Sequence, residues 1–579
     1  MNEQPQSNKW IFIILILATA ALFLEYGIPT TRPIRIAIHV LDFSVLILFI
    51  FEMALRLIQA RYKSNFLKRH WFDVLFLIFF TTLFLYSKYH TLLLEYNKLE
   101  NLSIKVIFAR NLFLALKIFI RFNKLNYFFT EFTKNPAQTM VLSFLFLISV
   151  GTLFLMMSFT TADKTHLGFL DALFTATSAV CVTGLIVVDT ATRFSFWGQL
   201  VIMCLIQAGG LGIMMFTYTT AFILGRRLTL KEKIALSYML NENDMRKLYS
   251  SIIKIVGMTF LIEAIGMVFL FSAFQKQFGL SSKTIFFSAF HAISAFCNAG
   301  FALFTTSLEA FKSNSLINLT VAFLIILGGI SFPVLMNLFQ HFKSKFYLKY
   351  LRKPYARTNL NMNTKSVLVT SLVLIIAGTL LIYGFEHKTD LINYDLKTQY
   401  LAAFFQSVTL RTAGFNTLDI AHLQLPTYLL MLLFMFIGGA AGSTAGGIKV
   451  NSLAVIYSYI RAVIKNQYSV VLYGHFLQKY LVSRALLIVI LASLAIFTGT
   501  IILSITEATS FMNILFEVVS AFGTVGLSTG ITSALTSIGK SVIIIMMFLG
   551  RLGPLTIMAA FAAKKTFQPK YPEGEINLG

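Results

Sequence analysis

A short polar break centred on one glycine recurs four times in this chain, each time between apolar flanks. The breaks are "VCVTGLIV" at 180–187, "FCNAGFAL" at 296–303, "LRTAGFNT" at 410–417 and "FGTVGLST" at 522–529. Their glycines, Gly184, Gly300, Gly414 and Gly526, lie 116, 114 and 112 residues apart. A feature that returns at nearly constant period marks an internal repeat, and the repeat constrains the fold before any single residue does.

Each repeat has the same outline from about residue 136 onward. A long apolar span leads to a shorter segment that ends at the glycine, and a second long span follows. The long spans are expected near 138–160, 195–224, 252–275, 315–340, 366–385, 426–462, 482–506 and 538–563. Four more precede them, near 10–27, 37–60, 71–88 and 103–124. Hydrophobic residues make up 57% of the chain and charged residues 12%, against about 25% charged in a soluble domain. So much apolar surface belongs in a bilayer, where about 20 residues make one helical crossing. The short segments, such as 168–184 and 515–526, are too short to cross and are read as re-entrant. The expected fold is therefore an all-α membrane protein, with four linked helix–pore loop–helix repeats around one pore and four transmembrane helices ahead of them. The repeats are bounded at about 136–240, 250–345, 365–465 and 480–565.

Charge orients the chain. The net charge of +24 is not read as a nucleic-acid signal, because Lys and Arg gather in the cytoplasmic loops of membrane proteins. Basic clusters at 56–70, 226–254 and 343–365 fall on one side if the spans alternate. That side is then the cytoplasm, both termini lie there, and the four re-entrant segments open from outside. The N-terminal apolar run is read as a retained helix and not a cleaved signal. Cys181, Cys204 and Cys297 lack metal-ligand spacing, and no disulfide framework is expected. No P-loop, metal-spaced His/Cys set or nucleophile elbow is present, which argues against an enzyme.

Non-helical backbone is tolerated at membrane depth only where it lines a cavity or is buried in protein. Four such segments around an axis make a ring of carbonyl oxygens that can replace the water around a cation. Glycine permits the backbone angles that aim carbonyls inward, and the preceding half-helices point their negative C-terminal ends at the axis. The expected filter residues are Val182, Thr183, Gly184, Asn298, Ala299, Gly300, Thr412, Ala413, Gly414, Thr524, Val525 and Gly526, with K+ as the ion held. The alternative for any one glycine is tight helix packing; four at one repeat position favour the ring.

Two further features interrupt apolar spans. "GGAAGSTAGGIK" at 438–449 has five glycines in ten residues, each costing a helix about 1 kcal/mol relative to alanine. It is either a kink or a moving part. Arg551, inside "MMFLGRLGPL", is a costly intramembrane charge, read either as a functional residue or as half of a buried ion pair. Glu263 and Lys449 are also at or near membrane depth and are expected to be paired.

These residues resemble the Trk/Ktr/HKT superfamily of potassium transporters, and most closely the Ktr-type membrane subunit, over about residues 136–579. The motifs that carry the resemblance are "QAGGLGIM" (207–214), "HAISAFCNAGF" (291–301), "GGISFPVL" (328–335), "QSVTLRTAGFNTLDI" (406–420), "GGAAGSTAGGIK" (438–449), "FEVVSAFGTVGLSTGIT" (516–532) and "GRLGPLT" (550–556). The resemblance implies potassium uptake through one pore per protomer, with glycine at all four filter positions favouring potassium. Plant-type sodium carriers often replace the first glycine by serine, and Gly184 argues against that. It further implies that the loop with Gly438, Gly439, Gly442, Ser443, Thr444, Gly446, Gly447 and Lys449 blocks the inner pore, and that Arg551 faces the pore as an electrostatic barrier. The implied partners are a second copy of the chain and a cytosolic ring that alone would bind nucleotide. The implied site is the plasma membrane, with potassium, and sodium as a second candidate, as the transported ion.

Residues 1–130 are similar, more weakly, to a voltage-sensor domain. Glu52 in "FIFEMALRLI", Asp73 in "WFDVLFLI" and the cations Arg110, Lys117, Arg121 and Lys124 carry that likeness. At 100° per residue the four cations form one narrow stripe. Sensors usually carry a cation at every third position, and Phe113 and Leu114 interrupt that pattern. A static bundle that packs against the pore is the favoured reading. The rivals to potassium uptake are sodium transport by the same superfamily and a voltage-responsive sensor with a vestigial pore.

Overall fold

The computed structural model describes residues 136–212, 248–349 and 359–561, together with Ser44, Ile47, Phe51 and Ile58. The expected N-terminal bundle, with Glu52, Asp73, Arg110, Lys117, Arg121 and Lys124, lies outside the described residues, as do 213–247 and 350–358 of the basic loops.

Apolar runs that satisfy their own backbone hydrogen bonds become helices, because lipid offers no partner for a free N–H or C=O. The first unit consists of α1 (Pro136–Leu155), the short α2 (Phe169–Val180) and α3 (Phe196–Leu211). The second consists of α4 (Leu248–Phe278), the short α5 (Ser282–Phe296), α6 (Ser315–Ile330) and α7 (Phe332–Lys349). The third runs through α8 (Met362–Glu386), the short α9 (Leu396–Thr409), α10 (Leu425–Phe436) and α11 (Val450–Ile464). A two-residue hairpin pairs Val471 with Phe476 and leads to the fourth unit. That unit holds α12 (Lys479–Thr506), the short α13 (Phe511–Gly523), α14 (Ser537–Leu552) and α15 (Pro554–Phe561). Among the described residues, α1, α4, α8 and α12 are each long and apolar enough to cross a bilayer. The chain is a multi-pass helical membrane protein.

The second spans do not run straight through as expected. The helix expected over 315–340 bends by 102° between α6 and α7, and the one over 538–563 by 89° between α14 and α15. The span 426–462, expected to be interrupted by the glycine-rich run, is split into α10 and α11, and α3 ends at Leu211. Three of the breaks share one geometry: Gly212 (φ 80°, ψ 129°), Ser331 (φ 92°, ψ 143°) and Gly553 (φ 81°, ψ 138°). Left-handed backbone of this kind suits glycine and strains serine. The cause lies one turn earlier, where a glycine sits hard against a short helix. Gly209 touches the carbonyl of Val180, Gly328 that of Phe296 and Gly550 that of Phe522, with no room for a Cβ.

Caps and carboxylates gather at the end of the molecule from which the short helices begin, here called the mouth. Ser195, Asn314 and Thr536 accept hydrogen bonds from the first amides of α3, α6 and α14. Glu386, at the end of α8, accepts from Gln424 N (3.0 Å) and from the Thr427 hydroxyl at the start of α10. Glu507, just past α12, does the same for Thr536, accepting from its N at 3.2 Å and its hydroxyl at 2.6 Å. The units also lock to one another here. Thr305 donates to Asp189 at 3.2 Å, the Lys312 ammonium donates to the Tyr394 hydroxyl, and Lys540 pairs with Asp171 at 2.7 Å. The core runs down the middle, with Phe174, Phe290 and Phe516 fully buried, each ten residues before its glycine.

Candidate functional site

The four glycine breaks meet at the centre of the molecule. The two residues that carry left-handed backbone in each break are spaced alike. Val182, Asn298, Thr412 and Thr524 have φ of 57°, 59°, 66° and 50°, and two residues later the glycines have 91°, 69°, 78° and 89°. Alternating the sign of φ turns successive carbonyls toward the same side. For the non-glycine member of each pair this costs about 1–2 kcal/mol, so the surrounding structure must hold it in place.

The glycines close a ring. A side chain on Gly184 would strike the carbonyl of Ala299, on Gly300 that of Ala413, on Gly414 that of Val525, and on Gly526 that of Thr183. The Cβ positions also lie within 2.9–3.2 Å of the next glycine's Cα around the circle. Glycine is therefore needed twice at each position, for its backbone angle and for the neighbour's carbonyl. The hydroxyls of Thr183, Thr412 and Thr524 are buried in this region without a protein partner. The C-terminal ends of α2, α5, α9 and α13 converge on the ring, and their orphan carbonyls supply partial negative charge there. A buried ring of this composition suits a cation that sheds its water.

Behind the ring stands a repeated scaffold. Six residues before the glycine, Ser178 and Ser520 accept from the amides of Gly184 (3.1 Å) and Gly526 (3.2 Å), while Ser294 donates to the Phe301 carbonyl at 2.8 Å. Nine residues before, two buried polar groups hold the strand that leaves the ring. The Leu303 amide donates to His291 Nε2 at 3.2 Å, and Glu517 accepts from Ser528 at 2.9 Å and from Thr532. Toward the mouth, Glu309 accepts from the Asn416 side chain at 2.7 Å. Burial, and then the charge of Asp419, push the Glu309 carboxyl above its ordinary range. Sequence reading did not single out Ser178, Ser294, Ser520, His291, Glu517 or Glu309. Superposing the four breaks on their glycines shows the serine column in three of the four.

The glycine-rich loop, 437–449, lies against the ring on the side away from the mouth and is tied to the other three units. Ala440 N donates to Gly329 O (2.9 Å) and Thr444 N to Gly328 O (3.3 Å) in the second unit. Gly446 sits against the Thr524 side chain and Gly447 lies 3.4 Å, measured from an added Cβ, from Gly523 O in the fourth. The Arg551 guanidinium donates to the Thr444 carbonyl and to Gly209 O, so it bridges the loop to the first unit. Lys449 folds back on the loop and donates to Ala445 O (2.7 Å) and Gly446 O (3.3 Å). Gly438 and Ile448 close the loop's neck by a 2.8 Å backbone bond, Ser443 donates to Ala440 O inside it, and Gly439 and Gly442 line its approach to Gly329 and Pro333.

The expected pairing of the buried charges takes a different form. Arg551 and Lys449 bond to carbonyl oxygens, and Glu263 accepts from Gln207 at 3.3 Å. None of them forms an ion pair among the described residues. A carbonyl of a break in a helix is an unsatisfied acceptor, and it serves these cations where a carboxylate would have to be desolvated. The three cysteines are unpaired.

The TrkH cation transport protein family matches residues 108–571, which begins before the boundary at 136. The chain is 38% identical over 450 residues to the Ktr system potassium uptake protein B of Bacillus subtilis, covering 77% of this chain and 97% of that one. It is 36% identical over 453 residues to the potassium/sodium uptake protein NtpJ of Enterococcus hirae, with the same coverage of 77% and 97%. The fold is that of the crystal structure of the potassium transporter TrkH from Vibrio parahaemolyticus, with a TM-score of 0.58 at 20% identity over 84% of this chain and 97% of that one. Four glycine breaks in a ring, on a helical membrane scaffold matched along most of its length, make this chain a member of the TrkH/Ktr family of cation transport proteins.

Proposed function

We propose that this chain takes up potassium across the plasma membrane through the ring of residues 182–184, 298–300, 412–414 and 524–526. The observation that carries the reading is the closure of the ring, in which every glycine abuts the next unit's carbonyl. Its backbone oxygens coordinate the ion, and its helix ends favour a cation. Gly184 keeps the first quarter like the other three, which favours potassium over sodium. A relative's name that includes sodium leaves sodium as the second ion to test.

The loop 438–447 serves as the gate, with Lys449 holding its fold and Arg551 pinning it across the conduction path. A guanidinium beside the path also repels cations while the loop is closed. Opening requires release of those carbonyls, driven from a cytosolic nucleotide-binding ring. Two copies of the chain assemble in the plasma membrane with both termini in the cytoplasm. The chain acts by transport and not by catalysis, as the names of its relatives suggest.

Uptake of radioactive rubidium and sodium in cells that lack their own potassium uptake tests this reading. Rubidium uptake that exceeds sodium uptake is the expected result. Equal uptake of both ions would remove the selective ring, and uptake of neither would favour a sensor with a vestigial pore.

A further inference from the structure

The third unit departs from the other three at the ring, and it is also the unit that carries the loop. Where Ser178, Ser294 and Ser520 stand in the other units, the third has Val408, which has no hydroxyl to offer. The backbone closure differs too. Thr183, Ala299 and Val525 donate to the carbonyl five residues back, whereas Ala413 donates to Thr409 O, four back. Three residues before the glycine, the other units have the small Cys181, Cys297 and Gly523, and the third has Arg411.

Arg411 is 7% exposed, and no carboxylate among the described residues lies within ion-pair distance. Its guanidinium donates to Ser371 O on α8 at 3.3 Å and to Gly438 O at 3.5 Å. Gly438 is the first glycine of the glycine-rich loop. The Arg411 Nε has no protein partner. Beside it lies a cavity of about 20 Å³, lined by Arg411, Ser371, Val408 and Gly329, which admits one water molecule. Gly329 is also the residue whose carbonyl anchors Ala440 of the loop.

We propose that Arg411 is a positioning residue that couples the third quarter of the ring to the first hinge of the loop. Its backbone immediately precedes Thr412, and its side chain holds the hinge carbonyl. A buried guanidinium without a carboxylate must keep its carbonyl partners, because losing one leaves charge unsolvated. The loop cannot leave without either stripping Arg411 of Gly438 or pulling on the ring through it. The closed loop and the ordered third quarter therefore favour each other. This inference rests on the loop being a gate.

The test is rubidium flux from proteoliposomes holding the full chain without any regulatory subunit. Three variants are compared: Arg411→Gln, Arg411→Lys and deletion of Gly442–Gly446. If Arg411 couples the two parts, Arg411→Gln raises flux about tenfold, as expected from losing a hydrogen bond to a charged group. Arg411→Lys, with one donor centre for two carbonyls, gives a smaller rise. Should Arg411→Gln fail to fold, the lysine variant decides the matter alone. Deletion that opens the pore while both arginine substitutions leave flux unchanged overturns the coupling and leaves the gate standing. Deletion that leaves the pore shut overturns the gate and the coupling with it. A changed ion ratio without added flux shows a residue that shapes the ring alone, and also overturns the coupling.

Discussion

Gly184 shows how little freedom a ring residue has. Its φ of 91° is unfavourable for any side chain, and its Cβ would sit 2.5 Å from the Ala299 carbonyl oxygen. Gly184→Ser relieves this only by moving the second quarter of the ring. The strain is on the order of 1–2 kcal/mol, and if it falls on the potassium-bound form it is worth about a tenfold loss in preference for potassium over sodium. Relative uptake of rubidium and sodium reads this directly, and an unchanged ratio would sink the assignment. Gly550 makes a different prediction. Its missing side chain faces the carbonyl of Phe522, where α13 enters the fourth glycine break, one turn before the bend between α14 and α15. Gly550→Ala forces a short helix and a bent helix apart. It should lower the melting temperature and yield of the purified protein. A normal melting profile would mean that the helices part more readily than their packing indicates.

At the scale of helices, the short segments and the long ones are joined by polar contacts at their ends and by close packing in between. Glu507 ties the end of α12 to Thr536 at the start of α14 through three bonds to one carboxylate. Hydrogen bonds to a charged group contribute about 1.5–3 kcal/mol. Glu507→Gln keeps the shape but loses the charge and one acceptor. The expected outcome is a loss of about 1–2 kcal/mol, seen as a lower thermal midpoint in detergent, without added flux. Added flux at an unchanged midpoint would instead make this junction part of the gate. The second spans of the second and fourth repeats, read from hydropathy as single apolar runs, are bent, because a window of apolar residues reads the same whether its helix is continuous or broken at a glycine. "GGIS" and "GRLG" mark the bends only once the neighbouring helix is known to press on the first glycine of each.

Across the whole chain, the repeat alone makes the ring residues legible in the sequence. A glycine that returns every 112–116 residues has few explanations, and the glycine-rich run reads as irregular from helix propensity alone. The supporting groups are not legible in the same way. His291, Glu517 and Glu309 each act on a partner through the folded geometry, and Arg411 differs from its counterparts only when the quarters are compared position by position. The first long span of each repeat is readable because lipid enforces helices; the four second spans are not, since among the described residues two of them are bent pairs and the others are shorter helices. The N-terminal 130 residues retain a prediction of their own. Read as one helix, Arg110, Lys117, Arg121 and Lys124 would share one stripe, with about 10 Å between the first two at 1.5 Å per residue. A sliding helix would pass Glu52 and Asp73 with no cation to offer over that distance, and a packed one has no such barrier. Neutralising Arg121 or Lys124 should therefore reduce folded protein more than it alters the voltage dependence of current. Normal expression with a clearly shallower conductance–voltage slope in liposome recordings would make the segment a working sensor.

The ring has a direction of rotation. Gly184 bears on Ala299, Gly300 on Ala413, Gly414 on Val525 and Gly526 on Thr183, so each quarter leans on the one that follows it in the chain, and the last leans on the first. The tightest contact of each glycine thereby hands damage onward, although a Cβ on Gly414 would also come within 3.2 Å of Gly300 Cα behind it. A genetic suppressor of a lesion at Gly184 should arise at Ala299 or Gly300 and not at Thr183, whereas a lesion at Gly526 should be rescued from the opposite end of the polypeptide. Because all four quarters lie on one chain, each link of this circuit can be altered singly, which a pore assembled from four identical subunits does not allow.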